Sequence, residues 1–487
     1  MPMATALGAF LAWLLALVQL GTWLMLIAIA LHLLRSAAWA FGRPLEATAP
    51  PPLESDALPT VTVQLPLRNE RYVAERVMRA ACALDWPRDR LQVQVLDDSD
   101  DDTGAIVDRV ARELGAEGHD IEVVRRSDRK SFKAGALANA LPRARGELIA
   151  ILDADSVPPA DFLRRLAAPL VADPRLAFTQ ARWSFDNEHS SLLTRVQALI
   201  LHGLFLVEQP RLSASGQALQ FNGTAGLWRR SALESAGGWL GTSGGASVTE
   251  DLDLSFRLKL AGLSGRILPE VAVRTELPST MAAFRAQQQR WVRGAAEVLR
   301  GLGRRILGDR APAGGRTAML AHLIRHARQP VLLALALWLP AVALGWVTPR
   351  FFAPHGWAVV LGLVFIAIAG YYGAALRRLG RAGWPAIFYA PVVIALSLGL
   401  SLALTAALLR GLRSSGPGEF VRTPKRGDAV ERGYRPARDR LALVEVLVGL
   451  DYLALGALAA ERGQWAVAAA FIGLFAFGWL WVGVGSQ

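Results

Sequence analysis

Six long apolar runs, separated by one polar stretch, restrict most strongly how this chain can fold. They lie at about residues 7–34, 329–347, 357–376, 384–410, 441–461 and 465–484. Each is long enough to cross the hydrocarbon core of a bilayer as a helix, which takes roughly 20 residues. The first run follows an uncharged start and exceeds the length of a signal-peptide core, so we expect it to be retained. We therefore predict a transmembrane helix within 1–45, an α/β domain within 46–310, and transmembrane and interfacial helices within 311–487.

The composition agrees with a membrane protein and gives little support to nucleic-acid binding. Hydrophobic residues make up 53% of the chain and charged residues 19%, against about 25% charged in soluble domains. No nucleic-acid-reading motif accompanies the net charge of +12, which cytoplasmic loops and an anionic ligand explain better. The only cysteine, Cys82, excludes a disulfide framework and a cysteine-ligated metal.

Positive charges predict the orientation of the runs. Arg35 and Arg43 follow the first run, whereas residues 1–10 carry no charged side chain, so the polar domain should lie in the cytoplasm. Segment 411–440 carries eight Lys and Arg residues and should lie there too. Three full crossings before this segment would place it outside. We therefore expect the run 384–410 not to span, and its second half to lie along the cytoplasmic interface.

The polar stretch alternates between strand-like and helix-like segments. We predict strands at 61–65, 91–96, 121–124 and 148–152. Strands that alternate with helices are typical of a parallel sheet covered on both faces, and ligands of such sheets bind beyond the carboxyl ends of the strands. Because Asp98, Asp153 and Asp155 directly follow strands, we predict a ligand site at this edge of the sheet.

The polar residues at this edge suit a nucleotide and its metal. Asp153 and Asp155 stand one residue apart and can share a hard divalent ion, Mg²⁺ or Mn²⁺, that neutralises a diphosphate. Asp98 can accept hydrogen bonds from a nucleobase or ribose, and Lys133, at the entry to a helix, can hold a phosphate. The plainer alternatives are solvated acidic turns, helix caps and an exposed lysine.

Two later motifs offer a base and a binding face. Glu250 and Asp251 open a helix, where the helix dipole favours acids for structural reasons alone; Asp251 is nevertheless our candidate for a general base. Gln287 and Arg290 lie three residues apart and so share one face of a helix. Arg290 can bind a diphosphate through two hydrogen bonds, and Trp291 offers a flat surface to a sugar ring. The same segment can also simply pack on the sheet.

In this order, with Phe221–Thr224 between them, these motifs resemble those of the family 2 inverting glycosyltransferases. The resemblance covers residues 60–310 and is strongest to processive β-glycan synthases such as cellulose synthase and the cellulose-synthase-like glucan and mannan synthases. It implies a GT-A, Rossmann-like α/β domain inserted in a transmembrane region, a cytoplasmic active site, Mg²⁺ or Mn²⁺, and a channel made by the flanking helices. Glu250 is grouped with Gln287, Arg290 and Trp291 at the leaving group and acceptor.

A further resemblance concerns segment 411–440. Phe420, Thr423 and Lys425 are similar to the gating loop that covers the nucleotide in cellulose synthase. The chain departs from that pattern at Arg422, where the family has valine, and a proline before Lys425 stiffens the segment.

The resemblance implies an inverting, processive hexosyltransferase of the EC 2.4.1 type. It would move hexose from UDP-glucose or GDP-mannose to a growing polysaccharide and translocate the product. One alternative is a single-addition glycolipid synthase of the ceramide-glucosyltransferase type, and a non-enzyme alternative is a degenerate transferase-fold scaffold. The expected partners are a sugar nucleotide, a glycan or lipid acceptor and membrane lipid, without nucleic acid. The expected location is multi-pass in a bacterial inner membrane.

Two acidic residues lie within the apolar run 441–461, where a charged side chain is unfavourable. A charge at the bilayer centre costs about 2.5–3.5 kcal/mol on insertion scales. We therefore predict that at least one of Glu445 and Asp451 faces a polar path or a partner. For Glu445, near the end of the run, access to water is the plainer alternative.

Overall fold

The computed structural model describes residues 2–41, 43, 58–240, 249–308, 313–345, 354–413 and 440–487. Seven strands form one sheet: β1 Val61–Leu67, β2 Leu91–Asp97, β3 Asp120–Val124, β4 Leu148–Ile151, β5 Leu176–Phe185, β6 Gly226–Arg229 and β7 Ser264–Thr275. Their spatial order is β3-β2-β1-β4-β6-β5-β7.

The sheet is mixed. β1 pairs in parallel with β2 and β4, and β2 pairs in parallel with β3, as the sequence predicted. β6, a strand that the sequence analysis did not predict, runs antiparallel to both β4 and β5. β7 is again parallel to β5. The α/β fold class is confirmed, with the short β6 inserted against the common direction.

Helices cover the sheet and continue into the apolar region. In the first part of the chain the α-helices are α1 Pro2–Phe41, α2 Ala74–Cys82, α3 Thr103–Ala116, α4 Phe132–Ala140, α5 Phe162–Ala172, α6 Leu192–Gly203, α7 Gln209–Ala214, α8 Arg230–Ser235, α9 Glu250–Leu260 and α10 Met281–Leu307. They are followed by α11 Ala313–Ile324, α12 Arg328–Ala343, α13 Pro354–Arg378, α14 Ala386–Gly399, α15 Ser401–Arg413, α16 Arg440–Glu461, α17 Trp465–Ala470 and α18 Phe477–Gly485.

Both faces of the central strands are buried, for two different reasons. One face of β1 contributes the aliphatic residues Val63 and Leu65 to a core under the helices. On the other face Gln64 is also buried, because its amide donates a hydrogen bond to Gln94 of β2 at 3.0 Å. A hydrogen bond between two buried polar side chains reduces the cost of burying them.

The apolar helices make this chain a multi-pass membrane protein. Among the described residues four helices are long and apolar enough to cross a bilayer: Ala16–Phe41, Val359–Arg378, Arg440–Glu461 and Trp465–Gly485. A fifth candidate is the pair α14 and α15, whose axes bend by 51° at their junction. α12 has only 16 residues, about 24 Å at 1.5 Å per residue, and is shorter than the run predicted at 329–347.

The bend between α14 and α15 falls in the run that we expected not to span. α15 packs along α10 of the α/β domain, and this contact is so close that a Cβ on Gly411 would lie 2.6 Å from the carbonyl oxygen of Arg293. A helix held against the α/β domain suits the predicted interfacial position. The position relative to a bilayer stays a prediction, as do the three domain boundaries.

The two acidic residues of α16 have different surroundings. Asp451 is exposed on the outside of the helix bundle. Glu445 is fully buried and forms an ion pair with Arg285 of α10. The prediction that one of them has a partner is confirmed, and the alternative that Glu445 reaches water is wrong.

Candidate active site

One cavity of about 320 Å³ opens at the carboxyl ends of β1, β2 and β4 and extends between α9, α10 and α11. Every predicted site residue that the structure describes lines it: Asp98, Lys133, Asp153, Asp155, Glu250, Asp251, Gln287, Arg290 and Trp291. The predicted gating residues Phe420, Thr423 and Lys425 lie outside the described residues. The sheet edge, as expected for parallel strands, brings side chains together that are up to 193 positions apart in sequence (from Asp98 to Trp291).

Asp98 is fixed by an arginine that the sequence analysis missed. Arg126 binds its carboxylate through two nitrogens, with Nε to Oδ1 at 2.9 Å and Nη2 to Oδ2 at 2.6 Å. The same guanidinium donates to the carbonyl oxygens of Lys130 and Phe132. Arg126 is the second residue after β3, the neighbour of β2, so its position at the same sheet edge was the available signal. This arrangement orients Asp98 in the wall of the cavity.

Lys133 is held between Asp153 and the backbone. Its Nζ lies 2.5 Å from Oδ1 of Asp153 and 2.8 Å from the carbonyl oxygen of Gly223. Burial disfavours its charge, but Asp153 and Glu250 outweigh that effect and raise the pKa of the ammonium group. Gly223 adopts a φ of 82°, which glycine tolerates. The exposed-lysine alternative is therefore wrong for Lys133, which is a charged group inside the cavity.

Asp155 is buried and anchored to the end of β7. Its Oδ2 accepts hydrogen bonds from the Thr275 hydroxyl at 2.7 Å and from the Glu276 backbone N–H at 3.1 Å. Asp153 is more open: 39% of its side chain is exposed, and its backbone N–H donates to the Thr224 hydroxyl at 2.8 Å. Thr224 belongs to the Phe221–Thr224 motif named above, whereas Thr275 and Glu276, at the end of β7 and just after it, were not predicted.

The two aspartates suit a metal that is held jointly with a ligand. Asp153 and Asp155 offer hard carboxylate oxygens at the cavity wall, and the ammonium group on Asp153 shows that a cation is accommodated there. In the described part of the chain, no cluster of three or more Asp, Glu, His or Cys residues is arranged for a metal. Mg²⁺ commonly takes only one or two protein carboxylates and completes its coordination with phosphates and water. The donor set therefore fits such an ion.

Glu250 and Asp251 form a buried acidic pair at the start of α9. Burial and the neighbouring Glu250 raise the pKa of Asp251 to about 7, although its Oδ1 accepts a hydrogen bond from the Leu252 N–H at 2.8 Å. Burial also raises the pKa of Glu250, against the opposing charge of Lys133. Thr249 precedes the helix and does not form a side-chain cap. A carboxyl group with a pKa near neutrality is matched to proton transfer at physiological pH.

Three lining residues of the cavity lie on α10: Gln287, Arg290 and Trp291. A glycine on the same helix makes a close approach to Thr249 possible, because a Cβ on Gly294 would lie 2.4 Å from the Thr249 side chain. Arg290 is close enough to Glu250 to lower the pKa of that carboxyl group. The helix therefore delivers a cation and an aromatic ring beside the acidic pair.

The cavity is also lined by His322, Arg325 and His326, none of which the sequence analysis predicted. Burial keeps the pKa of both imidazoles well below the usual value, so they are neutral at pH 7. The side chain of Arg325 is exposed and forms no hydrogen bond or ion pair with the other residues that the structure describes. Only the fold reveals this group, because nothing in the local sequence links it to the earlier motifs.

Comparisons with known proteins agree with this geometry. A sequence model described as "Glycosyltransferase like family 2" matches residues 59–294. The chain is 33% identical over 438 residues to glucomannan 4-β-mannosyltransferase 9 of Arabidopsis thaliana, which covers 85% of this chain and 78% of that protein. It is 44% identical over 255 residues to probable glucomannan 4-β-mannosyltransferase 3 of Oryza sativa subsp. japonica, covering 52% of this chain and 46% of the relative, less than half the relative's length.

A solved structure shows the same fold. A mannosyltransferase of Pyrobaculum calidifontis, determined in complex with GDP-mannose and Mn²⁺, superposes with a TM-score of 0.59 over 82% of this chain and 99% of that chain at 20% identity. The GT-A fold predicted from the motifs is thereby confirmed. With the match to the family model and the long alignment to the Arabidopsis protein, the chain belongs to the family 2 glycosyltransferases, as a membrane-embedded hexosyltransferase.

Proposed function

We propose that this chain transfers mannose from GDP-mannose to the 4-hydroxyl group of a growing β-linked mannan or glucomannan, processively and with inversion. The observation that carries this proposal is the extent of the alignment with the Arabidopsis 4-β-mannosyltransferase, which includes 85% of this chain. The similarity therefore continues from the α/β domain into the apolar helices, as expected if both parts serve the same polymer.

Asp251 is the proposed general base. It takes the proton of the acceptor hydroxyl while the oxygen bonds to C1 of the donor sugar and the bond from C1 to the diphosphate breaks. A pKa of about 7 leaves a large fraction of the carboxylate unprotonated at neutral pH. A base with this pKa is also strong enough to accept the proton in the transition state.

Cationic and amide side chains of the cavity bind the leaving diphosphate in this proposal. Arg290 and Gln287 donate hydrogen bonds to the leaving group, and Lys133 adds a charge that Asp153 already orients. Asp153 and Asp155 would hold the Mg²⁺ or Mn²⁺ ion, which when bound neutralises the charge that develops on the diphosphate. Asp98, fixed by Arg126, accepts hydrogen bonds from the nucleoside.

The acceptor enters from the opposite end of the cavity. Trp291 supports a sugar ring, and beyond it His322, Arg325 and His326 offer donors and neutral imidazole acceptors to sugar hydroxyl groups. Sugar hydroxyls can accept hydrogen bonds from the exposed guanidinium of Arg325.

The proposed orientation keeps the active site in the cytoplasm, where sugar nucleotides are available. Arg35 and Arg43, which follow the first apolar run, support it. The relatives compared above are plant proteins, and a bacterial inner membrane stays a prediction. The gating role of Phe420, Thr423 and Lys425 also stays a proposal.

Product analysis tests the proposed function. Membrane vesicles that contain the wild-type chain are incubated with radiolabelled GDP-mannose or UDP-glucose, with the Asp251→Asn variant as the inactive control. We expect label from GDP-mannose in an insoluble product that an endo-β-mannanase releases. Label in the organic extract would instead identify a glycolipid synthase. Folded protein that transfers sugar from neither donor would favour the non-enzyme alternative, a degenerate transferase-fold scaffold.

A further inference from the structure

A buried ion pair joins the helix of the candidate active site to a membrane helix. Arg285 lies on α10 and Glu445 on α16, the candidate span Arg440–Glu461. Only 3% of the Arg285 side chain and none of the Glu445 side chain is exposed. Both groups lie outside the catalytic cavity, so the chemistry proposed above does not use them.

Helical geometry places this pair on the back of α10. With 3.6 residues per turn, Gln287, Arg290 and Gly294 share one side of the helix, and Arg285 points roughly 140–180° away from them. The front therefore meets the cavity and Thr249. The back meets the membrane helices through Arg285.

The back of α10 also makes apolar contacts. Met281 and Val292 pack in one cluster with Leu404 of α15 and Val482 of α18. Apolar contacts are non-directional, so they hold the helix in place without fixing its rotation strongly. A charged hydrogen-bonded pair is directional, and in a buried site it is satisfied only when the two groups face each other.

Energetics also favours an orienting role over a stabilising one. Desolvating two charges offsets much of their attraction, so a buried ion pair is weak evidence for stability. A rotation of α10 by one residue, about 100°, would separate Arg285 from Glu445. The same rotation would carry Gln287 and Arg290 out of the cavity.

We propose that Arg285 and Glu445 are positioning residues that set the rotation of α10 against the membrane helix α16, and so hold Gln287, Arg290 and Trp291 towards the substrates. The proposal rests on the proposed transferase function. It makes the membrane region part of the catalytic geometry, because α16 fixes the back of the helix whose front binds the substrates.

Four variants of the full-length protein in vesicles test this role. Glu445→Gln and Arg285→Gln each remove one charge, Arg285→Glu with Glu445→Arg reverses the pair, and Arg285→Met with Glu445→Leu replaces it by apolar packing. Arg381→Gln is the matched control, since Arg381 also joins the membrane region to the α/β domain, through Glu188 at 2.5 Å, but does not touch α10.

The readouts are the folded fraction, kcat, the donor KM, and the share of donor that is hydrolysed instead of transferred. We expect the single variants to lose at least about tenfold in kcat with a nearly unchanged donor KM, because misplaced groups slow the reaction more than they weaken ground-state binding. Charge reversal should restore much of the rate, and the control should keep it.

The variant Arg285→Met with Glu445→Leu distinguishes a positioning role of the ion pair from a purely structural role. Apolar replacement of a buried ion pair is often neutral or stabilising, so this variant should fold even where a single variant does not. We expect it to fold and still to lose kcat, with more donor lost to water. Full activity of the apolar pair, or normal kcat in folded single variants, would overturn the proposal. An inactive wild-type chain would instead refute the proposed function.

Discussion

At the scale of single residues, burial decides which acids can do chemistry. Asp251 and Glu250 begin a helix, where acids are common for structural reasons. What distinguishes Asp251 is its enclosure beside a second carboxyl group, which raises its pKa to about 7. The same enclosure keeps Lys133 charged through Asp153 and Glu250. Residue type alone does not predict the pKa of Asp251 or the charge of Lys133.

The pH profile of the wild-type enzyme should reflect Asp251. Only the carboxylate can accept a proton, so kcat should rise with pH through about 7 and level off above it. Glu250→Gln removes a neighbouring negative charge and should move this inflection to lower pH. A profile that stays flat between about pH 5 and 9 would remove Asp251 from the role of base.

Replacement of the base should separate binding from chemistry. Asp251→Asn should lower transfer by about 10²–10⁴-fold, the usual contribution of a general base, while donor binding measured by calorimetry persists. Near-normal turnover of this variant would contradict the assignment.

Removal of Asp155 should weaken metal-dependent donor binding. Asp155→Ala should reduce both the affinity for GDP-mannose in Mn²⁺ and the paramagnetic resonance signal of bound Mn²⁺. The control is Asp161→Ala, which changes an exposed aspartate immediately before α5. Full wild-type activity in excess EDTA would refute the metal assignment.

At the scale of elements, α10 links the cavity to the membrane. Its front approaches α9 so closely that a side chain at Gly294 would overlap Thr249. Its back packs on α15 and pairs with α16 through Glu445. The helix therefore transmits any shift of the membrane helices to the Gln287–Trp291 segment.

Two glycines of α10 allow a matched comparison. Gly294→Ala should push α10 away from α9 and lower kcat by about tenfold or more, because small displacements of catalytic groups are costly. Gly301→Ala has no atom within 4 Å of the added Cβ and should keep the activity while it stabilises the helix by up to about 1 kcal/mol. Equal activity of both variants would show that the contact with Thr249 is dispensable.

At the scale of the whole molecule, the topology depends on whether the bent pair α14 and α15 crosses the membrane. A pair that does not cross keeps both the α/β domain and segment 411–440 on the cytoplasmic side. The basic residues of that segment favour this arrangement. Lys425 could then reach the nucleotide from the same compartment.

Cysteine labelling tests this topology. Cys82 is buried and its pKa is raised to about 11 by burial, so it reacts poorly, and Cys82→Ser removes it altogether. In that background Ser414→Cys and Ser415→Cys should react with a membrane-impermeant thiol reagent only after the cells are opened. Labelling of intact cells would contradict both the topology and the gating proposal, and Lys425→Ala should then leave turnover unchanged.

The sequence by itself determined the class of molecule. Apolar runs of 20 residues admit few structures in a bilayer, so the helices around the α/β domain followed from length and composition. Strand ends are also local features. Because the carboxyl ends of parallel strands share one edge of a sheet, Asp98, Asp153 and Asp155 could be assigned to one cavity without knowledge of the tertiary structure.

Only the tertiary structure decided which groups meet across that cavity. β6 runs antiparallel to β4 and β5. This direction depends on its neighbours in the sheet, because the four residues of the strand do not specify it. Arg126 on Asp98, Lys133 on Asp153 and Arg285 on Glu445 are contacts between distant segments. The charge state of Asp251 also depends on what encloses it. Desolvation and pairing are properties of the folded surroundings, and a local sequence pattern does not contain them.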